Sequence, residues 1–342
     1  MKKLLNTLYI TTQGAYLARE GETISVSVDK ETRLRLPVHT LEGIVCFGNV
    51  MCTPFLMGLC GERNVTLSFL TERGRFMARV HGPVNGNVLL RKEQYRRSDD
   101  PGRSAAIACG VVLGKMANSR VVLLRALRDN PELSGGRVEE AIHRLAGLIN
   151  GIRGEKDLDA IRGIEGVAAN CYFSVFDDLI QGDKEAFFFK ERNRRPPLDN
   201  MNALLSFLYT LLTHDASSAA EAVGLDPAVG FLHRDRPGRP SLALDLVEEL
   251  RACVADRLAL SLINRQQVKA RDFERSESGA VTMSEACRKE VLIAWQKKKQ
   301  EELVHPFLNE RVSIGLLPYV QALLLARYIR GDLEAYPPFL WK

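Results

Sequence analysis

A chain of 342 residues, 46% hydrophobic and 26% charged, is long enough to bury a sizeable core and to form two domains. Its net charge of +5 permits a nucleic-acid partner without demanding one. With no run of eighteen uninterrupted apolar residues, and a start (Met-Lys-Lys-Leu-Leu-Asn-Thr-Leu-Tyr) lacking a signal peptide's apolar core and cleavage site, the expectation is a cytoplasmic protein without a membrane partner.

The first 80 residues read as strands. Ile24, Val26 and Val28 alternate with Ser25 and Ser27, and Val65, Leu67 and Phe69 alternate with Thr66 and Ser68, the period of a half-buried strand. Gly14, Gly21 and Gly74 mark turns, and a short apolar helix near 54–60 interrupts the pattern. A β-rich, sandwich-like domain over 1–80 is expected, packing, dimerising or positioning rather than catalysing. His81-Gly-Pro-Val-Asn-Gly then reads as a linker over 81–87. From Val88 the periodicity is helical, with expected helices at about 88–97, 102–129, 137–152, 156–181, 200–213, 217–223, 241–266, 283–303 and 315–330. The expectation is an α+β fold: a small β-rich domain, then a larger all-α domain over 88–342 carrying the functional site. The aromatic tail from Tyr336 should dock on the body or on a partner. Seven scattered cysteines without a C-x-x-C pair fit reduced thiols better than a disulfide framework or a zinc site.

The most informative run is 230–251. It opens as a loop holding His233 among Arg234, Arg236 and Arg239, with Pro237, Gly238 and Pro240 blocking regular structure. It continues as a helix on which Asp245, Glu248 and Glu249 lie three and four residues apart, so like charges share a face and call for a compensating cation. Imidazole with carboxylates is a ligand set for a divalent metal, and carboxylate-rich sites favour Mg²⁺ or Mn²⁺ over Zn²⁺. The competing reading is a solvated face neutralised by Arg251 and the loop arginines. A third acid, Glu165, borders the apolar stripe of helix 156–181, between Gly163 and Gly166; it is paired or metal-bound, or else it reaches solvent or pairs with Arg162. Spacing alone leaves Glu248 and Glu249 equivalent.

Basic groups lie near these segments: Arg192, Arg194 and Arg195 before Pro196-Pro197, and the three loop arginines around His233. Guanidinium groups beside a metal site suit phosphate oxygens, so all six are candidates for DNA contact. Further clusters are Arg91, Lys92, Arg96 and Arg97, and Lys297 to Lys299. The sequence has no Walker motif, no G-x-G-x-x-G after a strand and no G-x-S-x-G elbow.

Several patches, in order and over nearly the whole length, resemble the CRISPR-associated integrase family, the Cas-one proteins of spacer acquisition. They are Leu90-Arg91-Lys92-Glu93-Gln94-Tyr95-Arg96, Ile164-Glu165-Gly166, the run from Arg195 to Ser206, the run from Gly230 to Arg251, His305-Pro306, and Gln321 to Asp332. The details are nearest the type I-C branch. The resemblance implies a homodimeric, metal-dependent DNA endonuclease and integrase holding Mg²⁺ or Mn²⁺. Its implied partners are a double-stranded prespacer, the CRISPR repeat and a Cas-two dimer. It puts the metal ligands, which are also the catalytic set, on Glu165, His233 and Glu248, with Asp245 as an auxiliary acid. The competing class is a non-catalytic architectural DNA-binding protein whose acids merely pair with arginines.

Overall fold

The computed structural model describes residues 5–82 and 88–341. Most of the linker expected over 81–87, the first four residues and Lys342 lie outside them. In chain order the first elements are β1 (Asn6–Ile10), β2 (Tyr16–Glu20), β3 (Thr23–Val28), β4 (Glu31–Pro37), β5 (Leu41–Phe47), β6 (Met51–Cys52), α1 (Pro54–Glu62), β7 (Thr66–Leu70) and β8 (Phe76–Val80). They are followed by α2 (Val88–Asp99), α3 (Pro101–Asp129), α4 (Arg137–Gly151), α5 (Leu158–Phe173), α6 (Asn200–Val223), α7 (Ser241–Glu248), α8 (Arg257–Asn264), α9 (Glu285–Gln300) and α10 (Leu317–Arg330). The α+β expectation holds, strand-rich first and mostly helical after, but the chain after Val88 is not all-α: Phe273–Arg275 pairs with Val281–Met283 and Glu302–Val304 with Arg311–Ser313 in two small sheets. The chain divides into two units, Met1–Asn85 with Met283–Gln300, and Gly86–Thr282 with Glu301–Lys342.

The strand-rich unit contains two four-stranded sheets, ordered β1-β5-β7-β8 and β4-β3-β2-β6. In the first, β1, β5 and β7 run parallel and β8 closes the edge antiparallel. Its inner strand β5 is apolar along nearly its whole length, which is why simple alternation was a poor guide there. One core joins both sheets and α1 through Leu17, Ile24, Ile44, Leu56 and Leu67. Thr53 caps α1 by accepting from the Leu56 amide, with Pro54 at the first helical position. The turns expected at Gly14, Gly21 and Gly74 adopt positive φ.

Helix α9 also belongs to this unit, although the sequence reading assigned it to the helical domain. Its Val291, Leu292 and Trp295 are buried, and the Gln296 amide donates to the Thr7 carbonyl at 2.9 Å. Lys299, within the expected basic cluster, is buried at 3% exposure and reaches Thr7 Oγ1 at 3.4 Å. The lysine run is therefore not wholly a solvated face.

In the helical unit, α3 packs against α4, α5 and α7. Its composition and length would suffice to cross a membrane, but 56% of that apolar window is buried within the protein, as in a core helix. Val138, Ala141, Ile142 and Leu145 give α4 one buried face at helical spacing. Helix α5 stops at Phe173 rather than near 181, and the chain turns through a short 3₁₀ segment, Phe176–Leu179. The two helices expected at 200–213 and 217–223 are one. Ala216, Ser217, Ala219 and Ala220 are buried, so packing carries α6 through the polar His214-Asp215 step to Gly224 at φ +88. Helix 241–266 is interrupted by a π-helical segment, Arg251–Asp256. The tail docks on this unit: Phe339 is fully buried, Arg257 covers the Trp341 ring, and the Trp341 amide donates to Asn118. None of the seven cysteines forms a disulfide among the described residues.

Candidate metal centre

The site is built around Asp245 on α7, 1% exposed. Its Oδ2 accepts the Phe231 and Leu232 amides at 2.6 and 3.0 Å, and its Oδ1 accepts the His233 amide at 3.0 Å and pairs with His233 Nδ1 at 2.7 Å. One carboxylate thus closes the loop and orients the imidazole. A proton on Nδ1, facing Asp245, leaves Nε2 as the lone-pair nitrogen. Gly230 is needed here, since a Cβ would lie 2.8 Å from Ser241 and 2.9 Å from Asp245 Oδ2. Helix α2 braces the same loop: Gln94 donates to the Asp226 and Val229 carbonyls, and Ser98 donates to the Gly230 carbonyl. Arg91 bonds the Gly224 carbonyl and Arg97 pairs with Glu93, so part of the basic cluster on that helix is structural.

His233 Nε2 lies 3.7 Å from Glu248 Oε1. Glu165, on α5, faces the same point. It does not pair with Arg162, which instead donates to the Leu232 carbonyl and to Asp159. Between the two glutamates lies the ammonium of Lys115 on α3, in contact with Glu165 Oε1 and 2.8 Å from Glu248 Oε2. Arg251 Nη1 holds Glu248 Oε1 at 2.6 Å. Burial alone would raise the Glu248 carboxyl, but Arg251, Lys115 and His233 outweigh it and bring it down to about 2. Burial likewise opposes the charge on Lys115, and Glu248 and Glu165 more than offset it.

Glu249 points elsewhere. Its Oε1 accepts the Tyr336 hydroxyl at 2.6 Å, and its Oε2 accepts Gln321 Nε2 at 2.9 Å and the Phe339 amide at 2.7 Å. Burial pushes this carboxyl up to about 8. Gly114 of α3 leaves room for it, since a Cβ there would lie 3.0 Å from the Glu249 side chain. One residue's rotation on the helix thus separates a site acid from a structural one.

Glu165, His233 and Glu248 offer two carboxylates and an imidazole, a donor set suited to Mg²⁺ or Mn²⁺. Glu248 Oε2 is buried and its one neighbour of opposite charge is the Lys115 ammonium, at 2.8 Å. A carboxylate oxygen left in that state fits a cation ligand. Among the described residues no group of three or more His, Cys, Asp or Glu side chains is spaced to hold a metal ion, and the Lys115 ammonium occupies the ground between the two acids.

A cavity of about 170 Å³ adjoins the cluster, lined among others by Lys115, Arg192, Tyr209, Arg251 and Asp256. The guanidinium groups of Arg192 and Arg251 each lie 5.1 Å from the centre of the Tyr209 ring. Arg192 is also tied to Asn202 and Ser206, making it part of the cavity wall rather than a surface contact. Arg194 lines the cavity from an exposed position, while Arg195 and Arg236 are exposed and Arg239 is half-buried. Arg234 pairs with Asp159. Sequence reasoning missed Lys115, although it is the only charged residue between Arg103 and Arg120, a signal in itself. Arg251 was read only as a neutraliser of the helix face, and Tyr209 and Asp256 were not singled out.

Asp256 accepts Tyr209 at 2.6 Å and Tyr172 at 3.2 Å, and burial pushes its carboxyl up to about 6. A carboxyl raised on folding is best accommodated when protonated, so its stability contribution is present at acid pH and lost as pH rises through the folded value. Asp256→Asn keeps the shape without the charge, and both phenols can rotate to suit it. The variant should melt higher than the parent above about pH 7, with the gain vanishing near pH 4. Thermal melts across pH check this, and a pH-independent difference would contradict it.

The chain thus joins a two-sheet unit to a helical unit that brings Glu165, His233 and Glu248 together. A family model described as CRISPR associated protein Cas1 matches residues 8–297, and the chain belongs to that family. It is 56% identical over the full length of both chains to "CRISPR-associated endonuclease Cas1 1" of Chlorobaculum tepidum. It is 54% identical, again over all of both chains, to "CRISPR-associated endonuclease Cas1 2" of Rhodospirillum rubrum. The fold matches a CAS1 protein from Thermotoga maritima with a TM-score of 0.80 at 22% identity, covering 97% of this chain and 99% of that one. A casposase bound to integration product matches with a TM-score of 0.85 at 22% identity, covering 99% and 95%. At such identities the structures speak for the fold; the endonuclease class rests on the family and the closer relatives.

Proposed function

We propose that this protein is a divalent-metal-dependent DNA endonuclease and integrase of CRISPR adaptation, joining the 3′-OH ends of short foreign DNA to the repeat array. The observation that carries the reading is the convergence of Glu165, His233 and Glu248, far apart in sequence, around one point where the buried Glu248 Oε2 meets only the Lys115 ammonium. These three residues would hold Mg²⁺ or Mn²⁺. When bound, the ion supplies Lewis-acid charge to the phosphodiester undergoing attack.

The chain's own residues do the rest. Asp245 keeps His233 in one tautomer. Arg251 fixes the Glu248 carboxylate. Arg192, Arg194 and Arg251 give the adjoining cavity a positive wall suited to phosphate oxygens. In strand joining, the incoming 3′-oxygen forms a bond to phosphorus as the repeat's own 3′-oxygen leaves, so bonds balance without an external energy source. In nuclease action water takes the place of that hydroxyl. No covalent enzyme intermediate is needed, because positioning and charge neutralisation carry the reaction. The proposed setting is a cytoplasmic homodimer, bound to prespacer and repeat DNA and to a Cas-two dimer. Exposed Met51, Phe55, Phe76 and Met77 on the strand-rich unit support it as the dimerising part. Solved relatives include a Cas6-RT-Cas1–Cas2 complex.

Chelation with EDTA should abolish strand transfer on a labelled prespacer and repeat substrate, and Mn²⁺ or Mg²⁺ should restore it. Metal-independent joining would overturn the metal reading. DNA binding without any joining or cutting would favour an architectural role. Asp245→Asn presents an amide donor to a loop of donors and should weaken Mn²⁺ binding by about 10–100-fold, the usual cost of losing an outer partner of a ligating histidine. Calorimetric titration with Mn²⁺ measures it, and unchanged affinity would remove Asp245 from the orienting role.

A further inference from the structure

We propose that Lys115 is an exchangeable internal cation: its ammonium neutralises Glu165 and Glu248 in the resting protein and leaves their centre when a divalent ion binds. The proposal rests on reading Glu165, His233 and Glu248 as ligands, and adds a competitor for the ion's place.

The position of the side chain makes the argument. Lys115 projects from the middle of α3, the only charge in an otherwise uncharged stretch of that core helix. Its side chain is 13% exposed, and its ammonium touches one carboxylate and stands 2.8 Å from the other. A divalent ion held by both carboxylates would need the space between them that Nζ fills. Two cations cannot share that space, because their repulsion in a largely buried site is poorly screened. Arg251 is unsuited to the same exchange, since it is held to Glu248 Oε1 and stacked near Tyr209. Lysine differs: a compact ammonium on a flexible four-carbon stem can swing without moving the helix. The adjoining cavity is lined by Lys115 itself and by Asp256, so the ammonium has open space and a carboxyl to turn towards.

The arrangement resolves a physical difficulty. Glu248 is 2% exposed and Glu165 is 28% exposed, so without a nearby cation the two acids would repel one another in poor solvent. Lys115 relieves that repulsion during folding and before metal loading. It also sets a threshold, since apparent affinity falls by the fraction of time the competent state is present. A lysine seated for nine-tenths of the time would weaken the apparent affinity about tenfold.

The test is Mn²⁺ binding by calorimetry, without DNA, on the full-length protein and on Lys115→Met. The variant should bind Mn²⁺ about tenfold more tightly. Its metal-free form should melt lower, and Mn²⁺ should raise its melting temperature by more than it raises that of the parent. If the parent binds Mn²⁺ and the variant binds equally or more weakly, the exchange is wrong while the metal reading stands. If neither binds, the metal reading falls and takes the exchange with it. Should Lys115→Met fail to fold, the unaltered protein carries the test. With lysine labelled with ¹³C at Cε, Mg²⁺ should shift the Lys115 signal, assigned by its loss in Lys115→Arg. A signal that stays in place while Mg²⁺ binds overturns the proposal.

Discussion

Glu248→Gln should abolish strand transfer, with a loss exceeding the roughly 100-fold upper range for an outer partner such as Asp245. The amide keeps the volume but withdraws a negative charge from three neighbours: Arg251 at 2.6 Å, Lys115 at 2.8 Å and His233 Nε2 at 3.7 Å. Breaking a buried pair by removing one partner costs about 3–5 kcal/mol, so a lower melting temperature accompanies the loss. Adding Arg251→Met separates the two effects. The double variant should regain much of the stability, because the stranded charge is gone, but none of the activity. Recovery of joining in the double variant would show that Glu248 acts only by neutralising Arg251. Gel-based joining assays and thermal melts on the same preparations decide it.

Glu249→Ala, one residue on, should behave in the opposite way, losing fold before chemistry. Truncation strands two buried donors, the Tyr336 hydroxyl and the Phe339 backbone amide, and takes one of three acceptors from the Gln321 amide. Each unsatisfied buried group costs about 1–3 kcal/mol, so the total is a large part of an ordinary domain's stability. The tail from Tyr336 onward should loosen first and become open to carboxypeptidase. Glu249→Gln can still accept from two of these donors and should be milder. A stable, tail-protected Glu249→Ala protein that has lost only strand transfer would reverse the roles given to the two glutamates.

That distinction shows what could be read from residues and what could not. Asp245, Glu248 and Glu249 were visible as an acidic face because their spacing is a local, helical property. Which of them meets His233 depends on Gly114 letting α3 approach and on a tail some ninety residues later in the chain, the Phe339 amide reaching back to Glu249. Glu165 stood out as a carboxylate bordering an apolar stripe. Its flanking Gly163 and Gly166 weaken the helix without a packing reason, since a Cβ at either would meet nothing within 4 Å. The strand-rich and helical regions were legible from period alone. The continuity of α6 was not, because burial of small residues overrode a polar step. The six arginines looked alike in sequence but divide by burial and partners, with Arg192 in the cavity wall and Arg234 held by Asp159.

The return of α9 to the strand-rich unit has a bearing on synthesis. The bond from Gln296 to Thr7 spans 289 positions, so the first unit is translated early yet stays unfinished until most of the chain has left the ribosome. Until then β1 waits without its helical cover. A fragment cut at the end of β8 should consequently be sticky and poorly soluble, and adding residues 283–300 through a short tether should rescue it. Any fusion or split-protein scheme for this chain has to keep that late helix with the strands.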